Sequence, residues 1–308
     1  MGVILDANNR GRKWCSPQTR TSLSWIEAAV YARLVQLTPL GQCIGVAVTD
    51  IEPPQLAEPE IAAALADALE THGVLVFPEL HCDDASQVAF GKALGEPDIF
   101  PIPTGDFAEI FLITLDPAKN PAAAYLQGTF FWHIDGATDT TPNMATMLSA
   151  VAVAEDGGGT EFCNTYAAWD ALADDEKAAY KDVRVVHSME ASQRLVYKDP
   201  TDEQVADWKA RPATEQPLAW THQSGRTSLV LGATAEHVVG MDYDEGRALI
   251  DKLEAWATEE RFVYHHDWKV GDLVMWDNRG TMHRACRYTA DSPRLMHRVT
   301  LAGDEAFS

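Results

Sequence analysis

The sequence predicts a mainly β fold with peripheral helices, an α+β chain organised around a jelly roll or barrel. Three observations predict it. From about residue 108 the chain breaks into short apolar runs separated by turn residues, such as "EIFLITL", "TFFWHID", "MATMLSAVAV" and "GGGTEFCN". Helical periodicity is confined to a few segments. No Gly-x-Gly-x-x-Gly follows a strand, so a doubly wound nucleotide-binding fold lacks its opening signature; Gly157-Gly158-Gly159 lies between two strands and reads as a tight turn.

Taken in order, residues 1–35 read as an extension with a candidate helix over "SLSWIEAAVYARLVQ", and 36–308 as a single domain. Cys43–Val48 reads as a strand. "EIAAALADALETHG" puts Ile61, Leu65 and Leu69 on one stripe of a helix that Gly73 stops. "VLVFP" is a buried strand. "DDASQVAFGKALG" is a second helix, with Asp83 or Asp84 as its cap and Gly95 as its end. One helix is expected over Tyr166–Val183 and another over "DEGRALIDKLEAWATEE". Further strands are expected at "VRVVHSM", "PLAWTHQ", "TSLVLG", "FVYHHDW", "GDLVMWD" and "RLMHRVTLAG".

Composition narrows the function. A formal net charge of −22 opposes nucleic-acid or anionic-membrane partners, since phosphate binding needs a basic face. An anionic ligand would need local arginines to hold it. No window reaches the 18 apolar residues of a membrane span, and the N-terminus lacks a secretory pattern, so cytoplasm is the expected location. Five scattered cysteines without C-x-x-C spacing suit a reducing compartment. A homo-oligomer is compatible with all of this.

With 10 His and 46 acidic residues in 308, one or two His-x-acid pairs arise by chance; the chain has three. His81-x-Asp83 falls where a strand gives way to a helix, and capping accounts for Asp83. His265-His266-Asp267 reads as surface imidazoles on an outer strand face. His133-Ile134-Asp135 ends a strand ahead of the turn-rich "GATDTTPN". There a pair projecting to one side could supply two metal ligands or a histidine satisfied by its neighbour. Two imidazoles and a carboxylate on one face of a metal are the ligand set of non-haem iron oxygenases. His283, after the strand "GDLVMWD", is the natural third ligand. Arg294 and Arg298, four apart on "RLMHRVTL", share a face with Met296, while His297 turns away. Two inward guanidiniums need anions, whether ligands or internal carboxylates.

The segments "WHID", "MLSAVAVAEDGGGTEFCNTYAAWDAL", "FVYHHDWKVGDLVMWDNRGTMHR" and "RLMHRVTLAGD" resemble the taurine dioxygenase/2,4-dichlorophenoxyacetate dioxygenase family, nearer its aryloxyacetate branch, from about residue 38 onward. The resemblance implies a double-stranded β-helix (jelly-roll) core with Fe(II), 2-oxoglutarate and O₂ as cofactor and cosubstrates. It implies that His133, Asp135 and His283 bind the iron, that Thr160 and Arg294 hold the distal carboxylate of 2-oxoglutarate, and that Arg298 captures the acid group of the prime substrate. That substrate is expected to be a small organic acid, an aryloxyalkanoate cleaved to a phenol and a 2-oxoacid. Sulfonate-using relatives carry a histidine near "LGEPDIFPIPTG", where this chain has Phe100, also a candidate substrate contact. A sulfonate or alkyl sulfate dioxygenase is the runner-up. A jelly-roll binding protein without turnover and a zinc hydrolase are the rivals from other classes; the hydrolase leaves Arg294, Thr160 and Arg298 unexplained as a set.

Overall fold

A computed structural model describes residues 35–100 and 106–308. The extension expected at 1–35, apart from Val35, lies outside the described residues, as does the helix expected near its end except for Val35 and Gln36, and Gln36 opens a strand instead.

The main wall is built first. β1 (Gln36–Pro39) pairs antiparallel with β2 (Val46–Thr49), which begins three residues later than the expected Cys43. Helix α1 (Pro59–His72) then crosses over to β3 (Val74–Phe77), which lies parallel to β2. A parallel pair cannot be closed by a tight hairpin, and α1 is the connection that makes it possible. Pro59 starts α1, and Gly73 ends it at φ 72°, a left-handed conformation that costs glycine little. Helix α2 (Asp84–Leu94) is capped as expected: Asp83 accepts a hydrogen bond from the Ser86 amide at 2.7 Å. Gly95 follows it, but in an extended conformation.

The chain continues through β4 (Phe111–Ile113), β5 (Ala145–Ala152), β6 (Thr160–Asn164), α3 (Thr165–Asp170), α4 (Asp174–Tyr180), β7 (Arg184–His187), α5 (Met189–Val196) and α6 (Asp202–Lys209). It closes with β8 (Thr214–Pro217), β9 (Ala219–Thr221), β10 (Thr227–Leu229), β11 (Ala235–Val238), α7 (Tyr243–Ala257), β12 (Val263–His266), β13 (Leu273–Asp277), β14 (Thr281–Ala285) and β15 (Leu295–Leu301).

Seven strands form the major sheet in the order β1-β2-β3-β13-β5-β15-β4, and β12-β6-β14 form a minor sheet opposite it. The strand period of two assigns each residue a layer. Val74, Val76, Leu148, Val274, Trp276 and Met296 meet Phe162 of the minor sheet in the interior between the walls. Their neighbours Leu75, Phe77, Met147, Met275 and Val299 face the other way, onto Ile61, Leu65, Leu69, Val88 and Phe90 from α1 and α2. A third core lies behind the minor sheet, where Cys163 and Met282 pack with Trp220, Ile250 and Leu253. Full burial of each such side chain contributes about 1.5–3 kcal/mol. The result is a jelly roll with helices on its outer faces.

Three expectations need correction, and several elements had none. The helix over Tyr166–Val183 is two, broken at 171–173, and Asp174, Asp175 and Glu176 open the second at its dipole-positive end. "TFFWHID" is not a strand: Tyr125–Phe130 is a 3-10 turn, and His133 joins β14 only through an isolated bridge to His283. Helices α5 and α6 and strand β11 had no expectation attached. Finally, His266 is not a surface imidazole; it is buried and lies 3.0 Å from Asp272.

Candidate metal centre and its pocket

The isolated bridge performs the task that a regular strand was expected to perform. The amide of His133 donates to the carbonyl of His283 at 3.0 Å, and the amide of His283 returns the bond at 2.9 Å. This single pair brings the two imidazoles to a ring separation of 4.1 Å. The bridge is held from behind by Gly232, at φ 101°, where a Cβ would sit 2.7 Å from the Trp132 carbonyl and 2.9 Å from the His133 Cα. Only glycine lets these backbones approach so closely.

Asp135 completes the group. Its Oδ1 is 3.8 Å from His133 Nε2 and its Oδ2 is 3.9 Å from His283 Nε2, and one donor atom from each residue lies within 4.8 Å of the others. The donor chemistry suits a divalent metal. His133 donates its Nδ1–H to the Phe131 carbonyl at 2.9 Å, which leaves the Nε2 lone pair facing Asp135. Burial, reinforced by His133 and Arg298, pushes His283 down to about 3, so its imidazole is neutral and able to coordinate. Burial opposes ionisation of Asp135, but the Arg298 guanidinium and a hydrogen bond from Thr146 hold its carboxyl below the usual carboxylate range. Two neutral imidazoles and one carboxylate on a shared face are what an octahedral Fe(II) site with open positions requires.

A relay that sequence reasoning missed orients the carboxylate. The Thr146 hydroxyl donates to Asp135 Oδ2 at 2.8 Å and accepts from Asn278 Nδ2 at 2.9 Å. Asn278 Oδ1 in turn accepts from Trp276 Nε1 at 2.9 Å. The one available signal was a hydroxyl residue inside the apolar run "MATMLSAVAV".

The cavity beside this group is lined by Ile113, Thr129, Leu148, Thr160, Trp276 and Ala285, together with Arg294 and Arg298. All five of His133, Asp135, His283, Thr160 and Arg294 therefore meet at one place, and Arg298 joins them. Arg294 is 2% exposed, and its Nε donates to the Gly158 carbonyl at 3.1 Å. Gly158 stands at φ 72°, and a Cβ there would come within 3.2 Å of Arg294 Cδ. Burial lowers the Arg294 pKa, a cost that a bound anion would offset. Thr160 accepts from Trp268 Nε1 at 2.9 Å, so its own hydroxyl proton is free to point into the cavity. Arg298 Nε is buried without a hydrogen-bond partner. The Arg298 guanidinium carbon lies 5.2 Å from the Phe100 ring centre and 4.9 Å from that of Phe111, and those two rings are 4.8 Å apart. His297 faces away as expected, with Nδ1 2.6 Å from Asp84.

A jelly roll carrying a His-Asp-His face next to two arginines that line its cavity defines a dioxygenase of the non-haem type. The chain belongs to the family described as taurine catabolism dioxygenase TauD, TfdA family, whose model matches residues 36–300. Among its relatives is the alpha-ketoglutarate-dependent 2,4-dichlorophenoxyacetate dioxygenase of Cupriavidus pinatubonensis, 34% identical and covering 88% of this chain and 98% of that protein. A (S)-phenoxypropionate/alpha-ketoglutarate-dioxygenase of Delftia acidovorans is 32% identical over 87% of this chain and 95% of that one. Among solved structures, AAD-2 in complex with Mn(II) and N-oxalylglycine is similar with a TM-score of 0.76 and 33% identity, covering 89% of this chain and 99% of the other. Among the described residues, no helix is long and apolar enough to cross a membrane.

Proposed function

We propose that this chain is an Fe(II)- and 2-oxoglutarate-dependent dioxygenase that oxidises a small organic acid, an aryloxyalkanoate of the 2,4-dichlorophenoxyacetate type. One observation carries the reading: a single cavity joins His133, Asp135 and His283 to two arginines and a free hydroxyl. In this reading the catalytic unit is residues 36–308, it works in the cytoplasm, and size-exclusion chromatography with light scattering tests whether it self-associates.

In this reading His133, Asp135 and His283 hold the iron. When bound, Fe(II) with 2-oxoglutarate and O₂ supplies the oxidising power for C–H hydroxylation, with succinate and CO₂ as co-products. The chain's own groups supply position and charge. Arg294 pairs its planar guanidinium with the distal carboxylate of 2-oxoglutarate, and Thr160 donates a further hydrogen bond to it. Arg298 holds the carboxylate of the prime substrate through its unpartnered Nε, while Phe100, Phe111, Ile113 and Leu148 exclude water and grip the aryl end. Hydroxylation next to an ether oxygen gives a hemiacetal, which collapses to a phenol and a 2-oxoacid.

The aromatic wall at Phe100 favours an aryl acid over a taurine-like sulfonate, because an apolar ring there offers no donor to a third sulfonate oxygen. The test is anaerobic addition of Fe(II) and 2-oxoglutarate, which gives a weak visible charge-transfer band in the wild type and none in His133→Ala or Asp135→Ala. Succinate release is then compared across aryloxyacetates, alkyl sulfates and sulfonates. No band sinks the reaction class and leaves a binding protein; a best turnover on sulfates or sulfonates sinks only the substrate.

A further inference from the structure

The back of the minor sheet carries a second group of metal-binding side chains. Thr160, His283 and Ala285 line the catalytic cavity, so the alternation of the strands sends Glu161, Arg284 and Cys286 to the opposite face. On that face His265 of β12 lies directly across from Glu161 of β6. Cys286 sits just past the end of β14, its amide bonded to the Gly159 carbonyl at 2.8 Å. One donor atom from each of Glu161, His265 and Cys286 lies within 4.8 Å of the other two.

The distances and the orientation of the imidazole select a ligand. His265 Nδ1 is 3.6 Å from Glu161 Oε1 and 3.8 Å from Cys286 Sγ. Tetrahedral bonds of about 2.0–2.3 Å to N, O and S place such atoms about 3.3–3.6 Å apart, so His265 stands from each of its two partners at close to the spacing of a formed site. The far nitrogen, Nε2, lies 2.9 Å from Asp267 Oδ1. Donation of Nε2–H to this carboxylate fixes the tautomer with its lone pair on Nδ1, the carboxylate–histidine arrangement that supports metal ligands. Nδ1 and Glu161 Oε1 then face each other beside Cys286 Sγ, an arrangement in which all three can donate lone pairs to one cation once the thiol proton is lost. Glu161 has an oxygen to spare, since Arg284 Nε occupies Oε2 at 2.6 Å. Gly159 keeps the space open: a Cβ there would lie 2.9 Å from His265 Nε2. The His265 side chain is 42% exposed, so an ion can enter from solvent.

The geometry points to a second metal site at Glu161, His265 and Cys286 that takes a borderline divalent ion of the zinc class, with water in the fourth position. Sulfur among the donors disfavours Mg²⁺ and Ca²⁺, and the order of divalent affinities places Zn²⁺ above Fe²⁺. The two sites, back to back across one sheet, therefore differ in softness. Binding replaces the thiol proton of Cys286 with the metal and releases that proton to solvent, so affinity rises with pH.

Co(II) added to the full-length, metal-free protein reads this out, because only a sulfur ligand gives cobalt–thiolate absorption in the near ultraviolet. The band is expected in the wild type and in Asp135→Ala, and Zn²⁺ should displace it. Cys286→Ser should abolish it, His265→Ala should weaken binding at least tenfold, and Asp267→Asn about 10–100-fold. Absence of the band, its survival in Cys286→Ser, or its loss in Asp135→Ala would each overturn the site. A doubly protonated His265 merely paired with Glu161 and Asp267 gives the first of these results.

Discussion

Replacing Thr146 by valine tests whether the iron site depends on the relay behind it. Thr146 is fully buried on β5, and its hydroxyl sits between Asn278 Nδ2 at 2.9 Å and Asp135 Oδ2 at 2.8 Å. Valine has the same branching and nearly the same volume, so it suits the strand and leaves no cavity. It removes one hydrogen bond to a charged carboxylate, about 1.5–3 kcal/mol, and leaves the Asn278 amide without its acceptor. Freed of that bond, Asp135 rotates, and a loss of this kind costs about 10–100-fold in metal affinity. That is about 1.4–2.8 kcal/mol of binding free energy, consistent with the lost bond. The assay is titration of Mn(II) into the apo-protein, with free Mn(II) followed by electron paramagnetic resonance. Thr146→Ser retains the hydroxyl and should bind within a few-fold of the wild type. A Thr146→Val affinity within twofold of the wild type, or a serine variant as weak as the valine one, refutes the relay.

Three further outcomes follow from the packing around the cavity and the core. Gly158→Ala forces a Cβ against Arg294 at a residue held at φ 72°. It should lower stability by about 1–2 kcal/mol and raise the KM for 2-oxoglutarate more than it lowers kcat, measured by thermal melting and succinate release. Trp268→Phe removes the donor that orients the Thr160 hydroxyl. It should raise the KM for 2-oxoglutarate several-fold with kcat nearly unchanged, and an unchanged KM would show that Thr160 needs no such orientation. His187 is buried, and burial pushes it from 6.5 to about 3. The unfolded chain therefore binds a proton that the folded protein refuses, so stability is full above about pH 6.5 and falls as pH drops toward 3, by about 1.4 kcal/mol per unit for this group. His187→Gln, which keeps an amide facing Thr234, should flatten that slope in urea melts; parallel slopes for variant and wild type would refute the assignment.

Much of this molecule is legible in its sequence. The stripe of Ile61, Leu65 and Leu69, the stop at Gly73 and the cap at Asp83 are local features, and local physics decides them. The three residues gathered around the candidate iron and the two arginines were reached by motif resemblance, and the fold places them in one cavity. Where local signals compete, long-range packing decides the outcome. "TFFWHID" has strand composition, yet its backbone pairs with β14 at one residue only, because Gly232 and the 3-10 turn at Tyr125–Phe130 set its path. The break at 171–173 has neither proline nor glycine to announce it; the acidic start at Asp174 was the signal passed over.

By itself, then, the sequence determined which segments alternate, which helices start and stop where, and which side chains are chemically able to bind a metal or an anion. Tertiary structure alone decided who stands behind them: Thr146, Asn278 and Trp276 reach Asp135 from residues 11 to 143 positions away. It also decided that His266 is buried while His265 faces Glu161 and Cys286 outside. The physical reason is that a hydrogen bond or a coordination sphere depends on distances of about 2–3 Å. Those distances are set by how sheets pack and strands register, and composition along the chain carries no record of which distant strand a side chain will meet.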